Sequence, residues 1–93
     1  MSYRTAYTRV AEREFLALPS HIQARVDRWL DLLEEDPRRA STKRLEGHPE
    51  LRRVHAGKAY VIIYTIREAE RLVLVVRVAH RREAYRHLPQ LNV

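Results

Sequence analysis

The sequence predicts a single α+β domain. Helical periodicity is confined to its first half, strand-like alternation dominates the second, and 93 residues leave room for one compact core. Hydrophobic residues make up 45% and charged residues 32%, the balance of a chain that folds rather than of a disordered one. The whole chain, 1–93, therefore reads as one domain, without internal repeats or low-complexity tracts.

From Tyr3 to Tyr7, aromatic and β-branched residues alternate with Arg4 and Ala6, which predicts a first strand. Thr8 is placed to cap a helix carrying Ala11, Phe15 and Leu18 on one face, and Pro19 ends it. Ser20 and Gln23 have the spacing of a capping box. Beyond them Ile22, Val26, Trp29, Leu30 and Leu33 form the apolar stripe of a second helix, which stops near Asp36 because Pro37 follows. Pro37 to Glu50, containing Gly47 and Pro49, reads as a surface connection. Three strands follow at Leu51–Ala56, Tyr60–Arg67 and Leu72–Ala79, and their short links predict an antiparallel meander before a short C-terminal segment. The last strand is apolar on both faces and is expected to be central, with the helices packed over one face of the sheet.

Several classes of function are disfavoured. The chain has no cysteine, so disulfides, a thiolate metal site and a cysteine nucleophile are all excluded. Its five histidines, at 21, 48, 55, 80 and 87, form no His-x-x-x-His pair, and no metal or other cofactor is expected. Two glycines, Gly47 and Gly57, cannot build a phosphate-cradling loop. Met1 to Thr5 carries no apolar leader, and the run Ala59–Ile66 is far too short to cross a bilayer. The expectation is a cytoplasmic protein that does not engage a membrane.

The formal charge of +6 is unevenly distributed. Residues 1–36 hold five Lys/Arg against seven Asp/Glu, whereas residues 37–93 hold thirteen against five. A positive field concentrated in the second half suits a polyanion, nucleic acid or an acidic protein alike. In the strand from Leu51, Val54 and Ala56 point to one face while Arg53 and His55 point to the other. Taken alone, Arg52 and Arg53 read as solvated strand residues. His80 reads as a histidine bonded to backbone at a strand end, and Tyr60, Tyr64 and Trp29 as core or edge aromatics. Lys43 and Arg44 read, with Arg38 and Arg39, as a basic loop.

Three segments together give a sharper reading: Leu51-Arg52-Arg53-Val54-His55, Tyr60-Val61-Ile62-Ile63-Tyr64, and Val78-Ala79-His80-Arg81-Arg82-Glu83-Ala84-Tyr85-Arg86. In this order, with Leu18-Pro19 before the second helix and Leu45-Glu46-Gly47 before the sheet, the chain resembles the RelE/ParE superfamily of type II toxin-antitoxin toxins. The resemblance spans nearly the whole chain and favours the RelE-like branch. It implies a toxin that inhibits translation as a messenger RNA endoribonuclease in the ribosomal A site, and whose partners are a cognate antitoxin, bound in a hetero-oligomer, the ribosome and messenger RNA. It also implies catalytic positions at Arg53, His55, Arg81 and Tyr85, with His80 beside them, and RNA-binding positions at Arg52, Lys58, Arg82, Lys43 and Arg44. One position departs from the pattern: many relatives have arginine after the first tyrosine of the third strand, where this chain has Val61. That departure speaks for the alternatives, a ParE-like inhibitor of DNA gyrase or a catalytically weak relative that acts by binding.

The residue types suit metal-independent RNA cleavage. Attack by a ribose 2′-OH on its own phosphate places charge on phosphoryl and leaving oxygens. Arginine stays protonated and grips such oxygens in pairs, which fits Arg53 and Arg81. His55 or His80 can exchange protons near neutral pH. Tyr85 is better suited to stacking on a base than to taking a proton, since an ordinary tyrosine titrates near 10.

Overall fold

The computed structural model describes residues 2–88, and the end of the expected C-terminal segment lies outside them. The elements in order are β1 (Arg4–Tyr7), α1 (Arg9–Leu16), α2 (Ser20–Glu35), β2 (Lys43–Leu45), β3 (His48–His55), β4 (Tyr60–Arg67), β5 (Leu72–His80) and α3 (Arg81–Ala84). One five-stranded sheet has the order β1-β5-β4-β3-β2. β2 to β5 form an antiparallel meander, and β1 is parallel to β5. The α+β expectation holds, with α1 and α2 on one face and the short α3 on the other.

That face carries the larger core. Ile22, Val26, Leu30 and Leu33 of α2 and Ala11 of α1 pack on Val54, Ile62, Tyr64, Val73, Val75 and Val78. The opposite face has a smaller cluster, Leu45, Leu51, Val61, Ile63, Val76 and Ala79, which Ala84 of α3 joins and against which Leu88 packs. β5 is thus apolar on both faces because both are covered. Buried Tyr64 carries its polar end into the core but spends it usefully: its hydroxyl donates to the Pro37 carbonyl at 2.6 Å, tying the sheet to the end of α2.

Two expectations need correction. Pro37–Glu50 is not wholly a connection, because β2 and the start of β3 lie within it and the meander has four strands rather than three. β2 escaped notice because it is three residues long, two of them charged, with a register shift between Arg44 and Leu45. The capping box at Ser20 and Gln23 does not form. Pro19 is the N-cap residue of α2 without a side-chain bond, and Gln23 Nε2 donates instead to the carbonyls of Phe15 and Leu16, closing the end of α1. The short C-terminal segment is present as expected, and Arg81–Ala84 within it forms a turn of helix. Thr8 does cap α1, its Oγ1 accepting from the Ala11 N–H at 3.2 Å.

The edges of the sheet are treated differently. Along β1, Glu34 of α2 accepts from the Thr5 N–H and hydroxyl, both at 3.0 Å, and its carbonyl accepts from the Tyr3 N–H, so that edge is closed to further pairing. Where β1 ends, Glu14 of α1 takes over as partner of β5. Its carboxylate accepts from the Val78 N–H at 3.0 Å and pairs with Arg77 at 2.8 Å. Both side chains are mostly buried, at 13% and 22% exposure. Removing one of them strands the other's charge and an unpaired strand N–H. Glu14→Ala is therefore expected to lower unfolding free energy by about 2 to 3 kcal/mol in urea titrations. A loss under about 0.5 kcal/mol, the range of an ordinary surface substitution, would show that the pair does not anchor α1.

Candidate nucleic-acid interface

The second face of the sheet ends in a cluster of cations. On β3, alternation puts Arg53 and His55 on the same face as buried Leu51, and the Arg53 guanidinium Nη1 lies 2.9 Å from His55 Nε2. Arginine only donates, so His55 Nε2 accepts and the ring proton of the neutral form sits on Nδ1. Across the sheet, the Arg81 N–H donates to the Ala59 carbonyl at 2.7 Å, which fastens the start of α3 to the turn that follows His55. Lys58 is exposed in that turn. Gly57, beside it, has φ +90°, a backbone conformation that L side chains rarely adopt, so the turn needs glycine there.

His55 reports the field of the cluster. Partial burial, then Arg53, then Arg81 hold its imidazole below the ordinary histidine value of 6.5. Arg53, His55 and Arg81 are therefore electrostatic neighbours although they come from strands separated by β4. Val61 lies between them in the ladder, opposite His55 on one side and Ala79 on the other, and is fully buried. The position where the family resemblance implies a cation is here part of an apolar floor.

His80 takes the place its chain position suggests. Its Nδ1 accepts from the Arg82 N–H at 3.2 Å, capping α3, and its ring meets Tyr60 edge to face with centroids 5.7 Å apart. The ring thus orients the turn that presents Arg81. Arg82 and Tyr85 are exposed on that turn, Tyr85 at 42%. Just beyond, Arg77 Nη1 donates to the Arg86 carbonyl at 2.6 Å, so the Glu14–Arg77 pair also holds the backbone that carries Tyr85. The sequence reading missed Arg77. Its signal was a lone charge inside the apolar run of β5, since such a charge needs a buried partner.

The remaining candidates divide between the faces. Lys43 stands opposite Arg53 and shares the cluster's face, whereas Arg44 stands opposite Arg52 on the helix-bearing face. Arg52 is thereby separated from Arg53, its neighbour in sequence, and donates to Thr42 Oγ1 at 2.9 and 3.3 Å. Lys43 and Arg44 are strand residues and not the loop their charges suggested. Among the described residues, no three His, Asp or Glu side chains are grouped to hold a metal ion. No helix among them is long and apolar enough to cross a membrane.

Known proteins carry the same fold. The family described as the ParE toxin of the type II toxin-antitoxin system, parDE, matches residues 6–85. The chain belongs to this family. Within the wider RelE/ParE superfamily, it is 27% identical to a chain of the RelBE2 toxin-antitoxin complex of Mycobacterium tuberculosis, covering 87% of this chain and 100% of that one with a TM-score of 0.74. A chain of the RelE–RelB complex of the archaeon Pyrococcus horikoshii OT3 is 25% identical, covering 90% and 100% with a TM-score of 0.73. One from the Escherichia coli RelBE complex, 23% identical over 84% and 95% with a TM-score of 0.75, shares the fold. No protein with a curated description matches.

The cluster makes a pH prediction for this ParE-family chain. With the folded value of His55 below 6.5, the unfolded chain binds more protons between the two values. Stability therefore rises with pH through that window, is complete above it and falls on acidification. Histidine NMR should give His55 a midpoint below 6.5 that moves upward in Arg53→Gln and in Arg81→Gln. A midpoint indifferent to both substitutions would mean that neither guanidinium faces the ring.

Proposed function

We propose that this chain is the toxin of a type II toxin-antitoxin pair and cleaves messenger RNA on the ribosome with its own cationic side chains and no metal. The observation that carries this reading is the cluster's geometry: Arg53 Nη1 lies 2.9 Å from His55 Nε2, and Arg53 and Arg81 both oppose protonation of that imidazole. A neutral imidazole is able to take a proton, and the two guanidinium groups beside it are able to receive the charge that the transfer creates.

In the proposed reaction, Arg53 turns from His55 Nε2 to a phosphoryl oxygen, which frees the nitrogen. His55 takes the proton of the 2′-OH as the 2′-oxygen attacks phosphorus. The bond to the 5′-oxygen breaks, leaving a 2′,3′-cyclic phosphate, and that oxygen takes a proton from water, whose hydroxide is neutralised as His55 gives its proton back to solvent. Arg81 and Arg53 offset the charge of the crowded phosphorane. Tyr85, exposed on the turn that His80 caps and Arg77 anchors, stacks on a base at the cut. His80 positions this turn rather than reacting. Lys58 and Arg82 flank the cluster and hold neighbouring phosphates.

The partner is a cognate antitoxin. The M. tuberculosis, P. horikoshii and E. coli relatives are chains of toxin-antitoxin complexes, which supports the same for this chain. An acidic or amphipathic segment would meet the basic second half of the chain, ordering as it binds. The protein acts in the cytoplasm in this reading, where messenger and ribosome are found.

A second target has one observation in its favour. Val61 removes a cation from the middle of the cluster and leaves an apolar floor, as suits a toxin that docks on DNA gyrase and leaves RNA intact. Mapping of messenger ends on translating ribosomes separates the two. Cuts inside A-site codons are expected with the wild type, reduced about 10²- to 10³-fold in Arg81→Ala by loss of one transition-state cation. Intact messenger together with arrested growth and inhibited supercoiling would move the assignment to gyrase.

A further inference from the structure

The cations of β2 and β3 are arranged in a way that folding does not favour. Lys43 faces Arg53 and Arg44 faces Arg52 in the antiparallel register. Directly opposed side chains on a sheet lie close together, and like charges there are destabilising. Because successive residues point to opposite faces, the two pairs stand back to back on one narrow edge of three residues. The other edge of the sheet, β1, is closed by Glu34, so among the described residues β2 is the edge that remains open.

The second pair lines a pocket. Arg38, Arg44 and Arg52, with Pro49, Glu50, Thr65 and Ile66, surround a cavity of about 190 Å³. Arg52 is oriented by buried Thr42, whose hydroxyl in turn donates to the Arg39 carbonyl at 2.7 Å. A neutral partner fixes the guanidinium without cancelling its charge. Among the described residues, Arg44 and Arg52 enter no ion pair. Arg38 is held through one nitrogen by Glu68 at 3.0 Å, and Glu50, the carboxylate in the wall, lies 3.7 Å from His48.

We propose that this pocket is a second phosphate site, which takes a phosphodiester of the substrate RNA strand as it passes around the β2 edge from the cleavage cluster. The proposal rests on the RNA-cleaving function above. Arg53 links the two sites: it bonds His55 in the cluster and faces Lys43 in the ladder, so cations run without interruption from the cut to the edge and over it. Arginines match a phosphate group in pairs, and a polyanion laid along both pairs relieves the repulsion within each. Charged side chains on an open edge also discourage edge-to-edge association, a role that calls for no RNA contact at all.

Binding of a short 2′-O-methylated RNA, which lacks the attacking hydroxyl, to the full chain across a range of salt concentrations tests the proposal. Arg44→Gln, at an exposed position, is expected to reduce the slope of log affinity against log salt by about 0.7, and Arg44→Gln/Arg52→Gln by about twice that, as for single-stranded contacts. Melting temperatures should equal or exceed that of the wild type, because a repulsive pair has been removed. Unchanged slopes in a wild-type background that binds RNA would overturn the second site and leave the cleavage cluster standing. Unchanged slopes with weakened binding of a glutamate-rich peptide would reassign the pocket to an acidic protein. Absence of salt-dependent RNA binding by the wild type would overturn the second site, while the cleavage function on the ribosome would stand or fall with the mapping of messenger ends.

Discussion

A strand hydrogen-bonded on both sides and covered on both faces has no freedom to slip, since a one-residue shift would exchange its two apolar sets. β5 is in that position, between β1 and β4, with α1 and α2 over one face and the α3 segment over the other. The candidate site hangs from its end. His80 closes the strand, Arg81 begins the turn that follows, and Arg77 inside the strand reaches back to the Arg86 carbonyl. Glu14 makes this possible by acting at once as a hydrogen-bond partner for the strand and as counter-charge for Arg77. The placement of Tyr85 and Arg81 is therefore set by core packing, not by the short helix that carries them.

What was legible in the sequence was what burial had written there. The stripe Ile22, Val26, Leu30 and Leu33 marked α2 because it covers a sheet, and the doubly apolar run of β5 marked a central strand because both faces are covered. Alternation along β3 correctly placed Arg53 with His55. β2 was hidden because it is held by backbone pairing and not by an apolar pattern, its side chains at Lys43 and Arg44 being exposed. The Ser20–Gln23 spacing misled because Pro19 takes the cap position and the Gln23 amide has carbonyls of the preceding helix within reach. Arg77 was hidden for a related reason, since its partner lies 63 residues away in α1. Long-range polar pairs leave no period to read.

The site itself shows a tension between stability and function. Cations are crowded at Lys43, Arg53 and Arg81 near a histidine whose protonation Arg53 and Arg81 oppose, and like-charge crowding costs stability in the free protein. Such an arrangement is favourable when a polyanion supplies the missing charge. Val61, fully buried and paired with His55 and Ala79 in the ladder, adds no charge to that balance. The family and the fold are settled by the match over residues 6–85 and by the RelE-like sheet. The chemistry depends on whether this face meets RNA.

Nitrogen-edited NMR of the free chain, titrated with an RNA whose 2′-hydroxyls are blocked, addresses that question most directly. The account predicts shifts concentrated at Arg53, His55, the Gly57–Ala59 turn, Arg81 and Tyr85, with the buried stripe of α2 unmoved. Shifts confined to the α1–α2 hairpin, or none at RNA concentrations where the protein's charge would ensure contact, would contradict it.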